Sequence, residues 1–302
     1  MRSLRIRIIS GLTGLAAALG LGVAGSAPAR AAADPVGPPQ SNFLTAYGYS
    51  VLSPRAVPAG ANDWNCRPSA AHPRPVILVH GTFENRYANW AGLAPELKRQ
   101  GYCVFALNYG GGVGPAGGLG DIRDSAEELS AFVDRVRAAT GAAKTDVVGH
   151  SQGGLMPRHY IEDLGGSTKV DKLVALSPTN HGTTLWGLGT IVQALPGGDE
   201  LLSLACESCS QQITGSDFLD TLNAGGETHP DVTYTVIATK YDEVVTPYTS
   251  SYLAAAPNVS NQEIQDFCPD EFTEHLGISY NKVATRLVLN ALDPARAETP
   301  DC

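Results

Sequence analysis

The stretch Val147-Val-Gly-His-Ser-Gln-Gly-Gly154 constrains this chain more than any other. An apolar, strand-like run enters a Gly-x-Ser-x-Gly pattern, and a helix-forming run, Gln152 to Leu164, leaves it. A strand that turns sharply into a helix has room for only the smallest side chains at Gly149 and Gly153. The residue between them takes a strained backbone conformation and projects its side chain above the carboxyl edge of a sheet. It also sits at a helix N-terminus, where the dipole favours negative charge. Serine and glycine are common in ordinary turns, and this chain holds 33 glycines. The strand before and the helix after set this serine apart and mark Ser151 as a candidate nucleophile.

The surrounding sequence repeats the same alternation. Pro75–Val79 and Cys103–Leu107 are continuous apolar runs of the kind buried on both faces of a sheet. Asp146–Val148, Lys172–Leu176 and Val232–Thr239 follow as further strands, and Glu263–Phe267 is a candidate sixth. Helical spacing fills the intervals: Asn89–Gln100, Asp121–Ala139, Gln152–Leu164 and Leu276–Leu292. In the second of these, Ile122, Ala126, Leu129, Phe132, Val133 and Val136 share one stripe. Strands alternating with helices predict an α/β fold, a mostly parallel central sheet with helices on both faces. Residues 34–72 are rich in Pro, Gly and Ala and read as a lead-in over the surface. The glycine-rich loop 110–120 lacks the Gly-Lys-Ser/Thr ending of a phosphate loop.

A serine hydroxyl needs a base, and the base needs an orienting acid. With a nucleophile on this kind of turn, the order along the chain is serine, acid, histidine. His72, His80 and His150 precede Ser151 and fail that order. His275 follows the last predicted strand and precedes the final helix, and is the expected base, with His181 as a rival. Asp242, just past the strand Val232–Thr239, is the expected acid. Glu243 is its neighbour, expected to point away, and Asp266 and Asp270 are expected to be solvated. Two backbone N–H groups must hold the oxyanion. One belongs to Gln152, the residue after the serine. The other comes from the loop His80-Gly-Thr-Phe83, with Thr82 expected and Phe83 the alternative. His80 is expected to bond the loop rather than to move protons.

Composition bounds the setting. Arg2, Arg5 and Arg7 precede the apolar run Ile8–Ala24, and Ala29-Arg-Ala31 and Ala31-Ala-Ala33 offer small-x-small cleavage points. This is the layout of a secretory signal peptide over residues 1–33, with a membrane anchor as the alternative. Those residues hold four of the 21 Lys and Arg and none of the 30 Asp and Glu. The remainder, 34–302, therefore carries 17 basic against 30 acidic side chains, a formal charge of −13. Such a surface is a poor match for nucleic acid or an anionic membrane. All six cysteines lie in that part, as expected of disulfides in an exported chain. Fifteen pairings are possible, and the sequential one is expected: Cys66–Cys103, Cys206–Cys209 and Cys268–Cys302. Cys206-Glu-Ser-Cys209 also suits redox or metal chemistry, but no second Cys/His pair stands at zinc spacing.

Four motifs together resemble a known family: P-V-I-L-V-H-G-T-F (75–83), G-H-S-Q-G-G (149–154), T-K-Y-D-E-V-V-T-P (239–247) and E-H-L-G (274–277). They are similar to those of the secreted actinobacterial lipases, α/β-hydrolase lipases grouped as lipase class 2 and related to the small Bacillus lipases. The likeness runs from about Arg74 to Leu292. It implies a single α/β-hydrolase domain over 34–302, with Ser151, Asp242 and His275 as triad and Thr82 and Gln152 as oxyanion donors. It implies carboxylic ester hydrolysis, often of acylglycerols, with no cofactor or metal. The expected protein is a secreted monomer that meets lipid or other ester substrate, with no stable membrane anchor. The uncharged segment around Leu185, Trp186, Leu188, Ile191, Val192 and Leu195 suits a fatty acyl chain. It suits a polyester equally, so a short-chain esterase, a polyester depolymerase and an acyltransferase are the alternative enzymes. A non-catalytic binding protein on the same fold is the alternative from another class, since fold alone does not give function.

Overall fold

The run Val76–Val79 has every side chain buried, and it sits inside a sheet of similar strands. A computed structural model describes residues 34–184, 186–187 and 206–302. The expected signal peptide 1–33 lies outside the described residues, as do Leu185, Leu188, Ile191, Val192 and Leu195. Residues Asp34–Cys302 form one compact unit. Its strands are β1 (Val76–Val79), β2 (Val104–Ala106), β3 (Gly112–Val113), β4 (Ala116–Gly117), β5 (Thr145–His150), β6 (Val170–Leu176), β7 (Thr233–Ala238) and β8 (Val259–Glu263). Six of them make one sheet in the order β2-β1-β5-β6-β7-β8, and each pairing is parallel. The pair β3-β4 is a small antiparallel hairpin in the glycine-rich loop.

Period-two alternation divides the core into two layers. Ile77 and Val79 join Phe105 and Val147 on one face, beneath Ile122, Leu129, Val133 and Leu155. Val76 and Leu78 join Val104, Val148 and Val174 on the other, beneath Trp90, Leu93, Val283 and Leu287. The helix Ile122–Thr140 has the expected stripe, with Ile122, Ala126, Leu129, Val133 and Val136 buried and Phe132 partly so. The Asp121 carboxylate accepts from Arg123 N–H at its start, and Gly141 closes it at a left-handed φ of 76°.

Three expectations are corrected. Glu263–Phe267 is not a strand: β8 is Val259–Glu263, and Ile264–Phe267 is a helical turn. Val-Ser-Asn-Gln-Glu is a half-exposed edge strand, so no apolar run announces it. Asn89–Gln100 is two helices, Arg86–Trp90 and Leu93–Arg99. The chain bends at Gly92, where a Cβ would lie 2.8 Å from the Tyr280 ring. The lead-in 34–72 contains a helix, Phe43–Leu52, that buries Phe43, Ala46, Tyr47 and Ser50. Its spacing is helical, but Gly48, two tyrosines and β-branched residues dilute the propensity.

The cysteines pair sequentially: Cys66–Cys103, Cys206–Cys209 and Cys268–Cys302. The first spans 37 residues and ties the lead-in to the start of β2. Replacing both its cysteines with serine is expected to lower the unfolding free energy by about 2–4 kcal/mol in a urea titration.

What matters for the site is where the strand order reverses. From β1 the chain steps outward to β2, then returns to β5 on the other side of β1. A crevice forms at the carboxyl ends of the strands at such a switch point. Val79 and Gly149 are register partners there, so the loop after β1 and the turn after β5 leave the sheet side by side.

Candidate active site

Ser151 stands on the turn after β5 with φ 54° and ψ −124°. A non-glycine residue in that region costs about 1–3 kcal/mol, so the surroundings must enforce it. They do so through backbone. Ser151 N–H donates to the Leu176 carbonyl at 2.9 Å, tying the turn to the end of β6. A Cβ on Gly149 would collide with the Gly153 carbonyl, and one on Gly153 with the carbonyls of Val79 and His80. Only glycine fits at either position, as the spacing predicts.

His275 and Asp242 arrive from the loops after β8 and β7. His275 Nδ1 donates to Asp242 Oδ2 at 2.9 Å and lies 3.1 Å from Oδ1. Both side chains are fully buried. Asp242 Oδ1 also accepts the N–H groups of Val244 (3.0 Å) and Val245 (2.8 Å), which fix its rotamer. Burial alone would lower the imidazole's pKa, but the Asp242 carboxylate outweighs it and holds His275 above its ordinary value. Burial opposes the ionised Asp242 too, and His275, helped by the Val245 amide, brings its pKa below the usual carboxylate range. His275 Nε2 is buried and has no hydrogen-bond partner among the described residues. The resting structure therefore does not join it to Ser151 by a hydrogen bond.

The rivals have other partners. Glu243 does not reach the imidazole: its Oε2 accepts the backbone N–H of His275 at 3.2 Å. His181 Nε2 pairs with Glu227 at 2.8 Å, and Asp266 and Asp270 are exposed. His80 is buried, with Nδ1 2.8 Å from the Gly81 carbonyl oxygen, and burial pushes its pKa down to about 4.

The backbone N–H groups of Thr82 and Gln152 have no hydrogen-bond partner among the described residues. Phe83 N–H, the alternative donor, is already given to the Gly117 carbonyl at 2.9 Å. Three side chains that sequence reasoning missed hold this region. Gln212 Nε2 donates to Thr82 Oγ1 at 2.9 Å, and Gln212 Oε1 accepts from the Thr179 hydroxyl at 2.9 Å. The Tyr109 hydroxyl lies 2.6 Å from the His80 carbonyl oxygen and 3.0 Å from Gln152 Oε1. Glu84 Oε2 accepts Gly81 N–H at 3.0 Å while only 1% exposed. One signal existed for Glu84: an acid close behind an apolar strand, directly after the loop His80–Phe83. Tyr109 directly precedes the glycine-rich loop and Gln212 follows Cys209 by three residues, but neither motif points toward Ser151.

A cavity of about 510 Å³ opens beside His275, lined by Phe43, Leu44, Glu243, Glu274, Leu276 and Tyr280. Ser151 and Thr82 do not line it. Of the expected acyl-chain segment, Trp186 is described, and it is 80% exposed. Among the described residues no cluster of three His, Cys, Asp or Glu side chains is placed to hold a metal ion. No helix among them is long and apolar enough to cross a membrane.

The chain is similar to several known proteins. It is 41% identical over 95 residues to a triacylglycerol lipase of Pseudarthrobacter phenanthrenivorans, covering 30% of this chain and 28% of that one. It is 30% identical over 218 residues to lipase B of Pseudozyma antarctica, covering 68% and 58%. The match thus spans about a quarter of the first relative and little more than half of the second. Among solved structures, Aspergillus fumigatus lipase B superposes with a TM-score of 0.63 at 25% identity, covering 81% of this chain and 56% of that one. The mature Bacillus licheniformis lipase BlEst2 gives 0.54 at 16% identity over 77% and 95%, a likeness of fold. With its parallel six-stranded sheet, the chain has the α/β-hydrolase fold. The model of the family described as lipase (class 2) matches residues 73–283, so the chain belongs to the class 2 lipase family.

Proposed function

We propose that this protein is a secreted serine carboxylic-ester hydrolase, a triacylglycerol lipase that works through an acyl-enzyme on Ser151, Asp242 and His275. The observation that carries the reading is the buried Asp242–His275 pair, 2.9 Å apart, with the other imidazole nitrogen unengaged. Family membership supplies the reaction class, and two curated relatives are named triacylglycerol lipases.

In this reading His275 Nε2 takes the Ser151 proton as Oγ attacks the ester carbonyl. The tetrahedral oxyanion is held by the N–H groups of Thr82 and Gln152, each worth about 2.7–4 kcal/mol in comparable sites. Collapse expels the alcohol, which takes the proton from His275. Water, deprotonated by the same nitrogen, then attacks the acyl-enzyme and frees the acid. Asp242 keeps the tautomer and stabilises the imidazolium. The chain acts as a monomer, with residues 1–33 removed on export and 34–302 as one catalytic domain. Three disulfides support the export part.

A rate series over acyl chain length, run with and without an emulsion, tests the lipase assignment. Long-chain triacylglycerols are expected to be hydrolysed faster once emulsified. Preference for acetyl and butyryl esters with no gain at the interface would replace the lipase with a short-chain esterase.

A further inference from the structure

Two residues directly before the catalytic groups meet in the interior. His150 precedes Ser151, and Gly81 precedes Thr82. The Glu84 carboxylate accepts Gly81 N–H at 3.0 Å through Oε2, and the same oxygen lies 3.2 Å from His150 Nδ1. The other nitrogen of that ring, Nε2, donates to the backbone carbonyl of His275 at 2.9 Å. Asn89 brackets the group, with Nδ2 3.2 Å from His150 Nδ1 and Oδ1 accepting Gly81 N–H at 3.3 Å. Glu84, Asn89 and His150 are all at most 1% exposed. The imidazoles of His150 and His275 lie 4.8 Å apart, centroid to centroid.

We propose that Glu84 and His150 are a positioning pair, fixing the oxyanion loop, the nucleophile turn and the base loop at one mutual spacing. The proposal rests on the triad reading above. A carboxylate is costly to bury, and a neutral amide would satisfy Gly81 as well; Asn89 already offers one. What the carboxylate adds is an ionised acceptor for Nδ1–H, so that the ring donates through both nitrogens and grips the His275 carbonyl from behind. The charge has a second effect. Burial works against an ionised Glu84, but His150 outweighs it, and its pKa lies below the usual carboxylate range. The titratable groups facing His275 are Asp242, Glu243 and Glu84, which favour the protonated imidazole, and His150, whose ring lies 4.8 Å away. Those around Glu84 itself are His150, His275 and His80, with the phenols of Tyr47, Tyr109 and Tyr280 beside it. Removing the Glu84 charge therefore lowers the pKa of His275, which packing alone would not do.

The test uses the full chain and a soluble p-nitrophenyl ester. Glu84→Gln keeps the shape and removes the charge. Its kcat is expected to fall about 10- to 100-fold, the size of a small misplacement of catalytic groups. KM is expected to stay within about twofold, with the acid limb of kcat/KM moved to lower pH. His150→Gln keeps an N–H for the His275 carbonyl and should retain several-fold more kcat than His150→Leu. Because the two residues act as one unit, Glu84→Gln with His150→Gln should cost no more than the worse single change. Unchanged kcat and an unmoved limb in Glu84→Gln would overturn the proposal. If that variant does not fold, equal kcat in His150→Gln and His150→Leu overturns it instead. Ser151→Ala is run beside them. Full activity there defeats the triad reading, whereas an inactive Ser151→Ala with an unaffected Glu84→Gln defeats the pair alone.

Discussion

Ser151→Ala is expected to lower kcat for ester hydrolysis by on the order of 10⁶-fold. The effect is the largest expected because nothing else in the site can carry the acyl group. The N–H groups of Thr82 and Gln152 remain, so a residue of catalysis, roughly 10³- to 10⁴-fold over water, should survive. The fold should not suffer. The Ser151 side chain makes no capping bond to its helix, and the backbone contacts that hold the turn do not involve it. Thermal unfolding within a few degrees of the unsubstituted protein, beside the lost rate on a p-nitrophenyl ester, is the expected pair of results. A rate within tenfold of the original would place the nucleophile elsewhere.

Asp242→Asn is expected to be the next most damaging, lowering kcat about 10⁴-fold with the structure nearly unchanged. The amide keeps the shape but not the tautomer, and it leaves the imidazolium of the transition state without its counter-charge. The pH dependence should shift as well. His275 must be neutral to accept a proton, so kcat/KM rises with pH through the pKa of His275. Asp242 holds that pKa above the ordinary histidine value, although burial pulls it down. Losing the carboxylate lets burial prevail, and the acid limb moves to lower pH. Stability follows with definite signs. Asp242, its pKa depressed, contributes stability above its unfolded value and loses it as pH falls through the folded pKa. His275, its pKa raised, contributes fully below its unfolded value and loses that as pH rises through the folded pKa. The Tm difference between the unsubstituted protein and Asp242→Asn should thus be greatest between the two folded pKa values and shrink on either side.

Much of this was legible in the sequence where a local rule had one solution. Gly-x-Ser-x-Gly between an apolar run and a helical run admits one turn, and the structure has it, with Gly149 and Gly153 pressed against backbone. The strands β1, β2, β5, β6 and β7 were visible because burial on both faces demands runs of mostly apolar residues, complete in β1 and β2 and shorter in the others. β8 escaped because an edge strand with polar residues has no such demand. Chain order sorted the histidines, and the structure joins Asp242 to His275, the two residues that order selects. What stayed hidden depends on long-range packing. Gln212 reaches Thr82 across 130 residues and Glu84 reaches His150 across 66, and neither contact leaves a periodic trace. By chain order His150 is only a histidine in the wrong place to be the base. Its part in the proposed pair comes from which carbonyl its far nitrogen meets.

The central claim is that Ser151 becomes acylated with His275 as its base. The most direct measurement is mass spectrometry of the protein after reaction with a p-nitrophenyl alkylphosphonate, which mimics the tetrahedral intermediate and cannot be released by water. One phosphonyl group per chain, on the peptide carrying Ser151, is the predicted result, with labelling slowed by at least 10³-fold in His275→Ala. A label on any other residue, or labelling of Ser151 that proceeds as fast without His275, would contradict it.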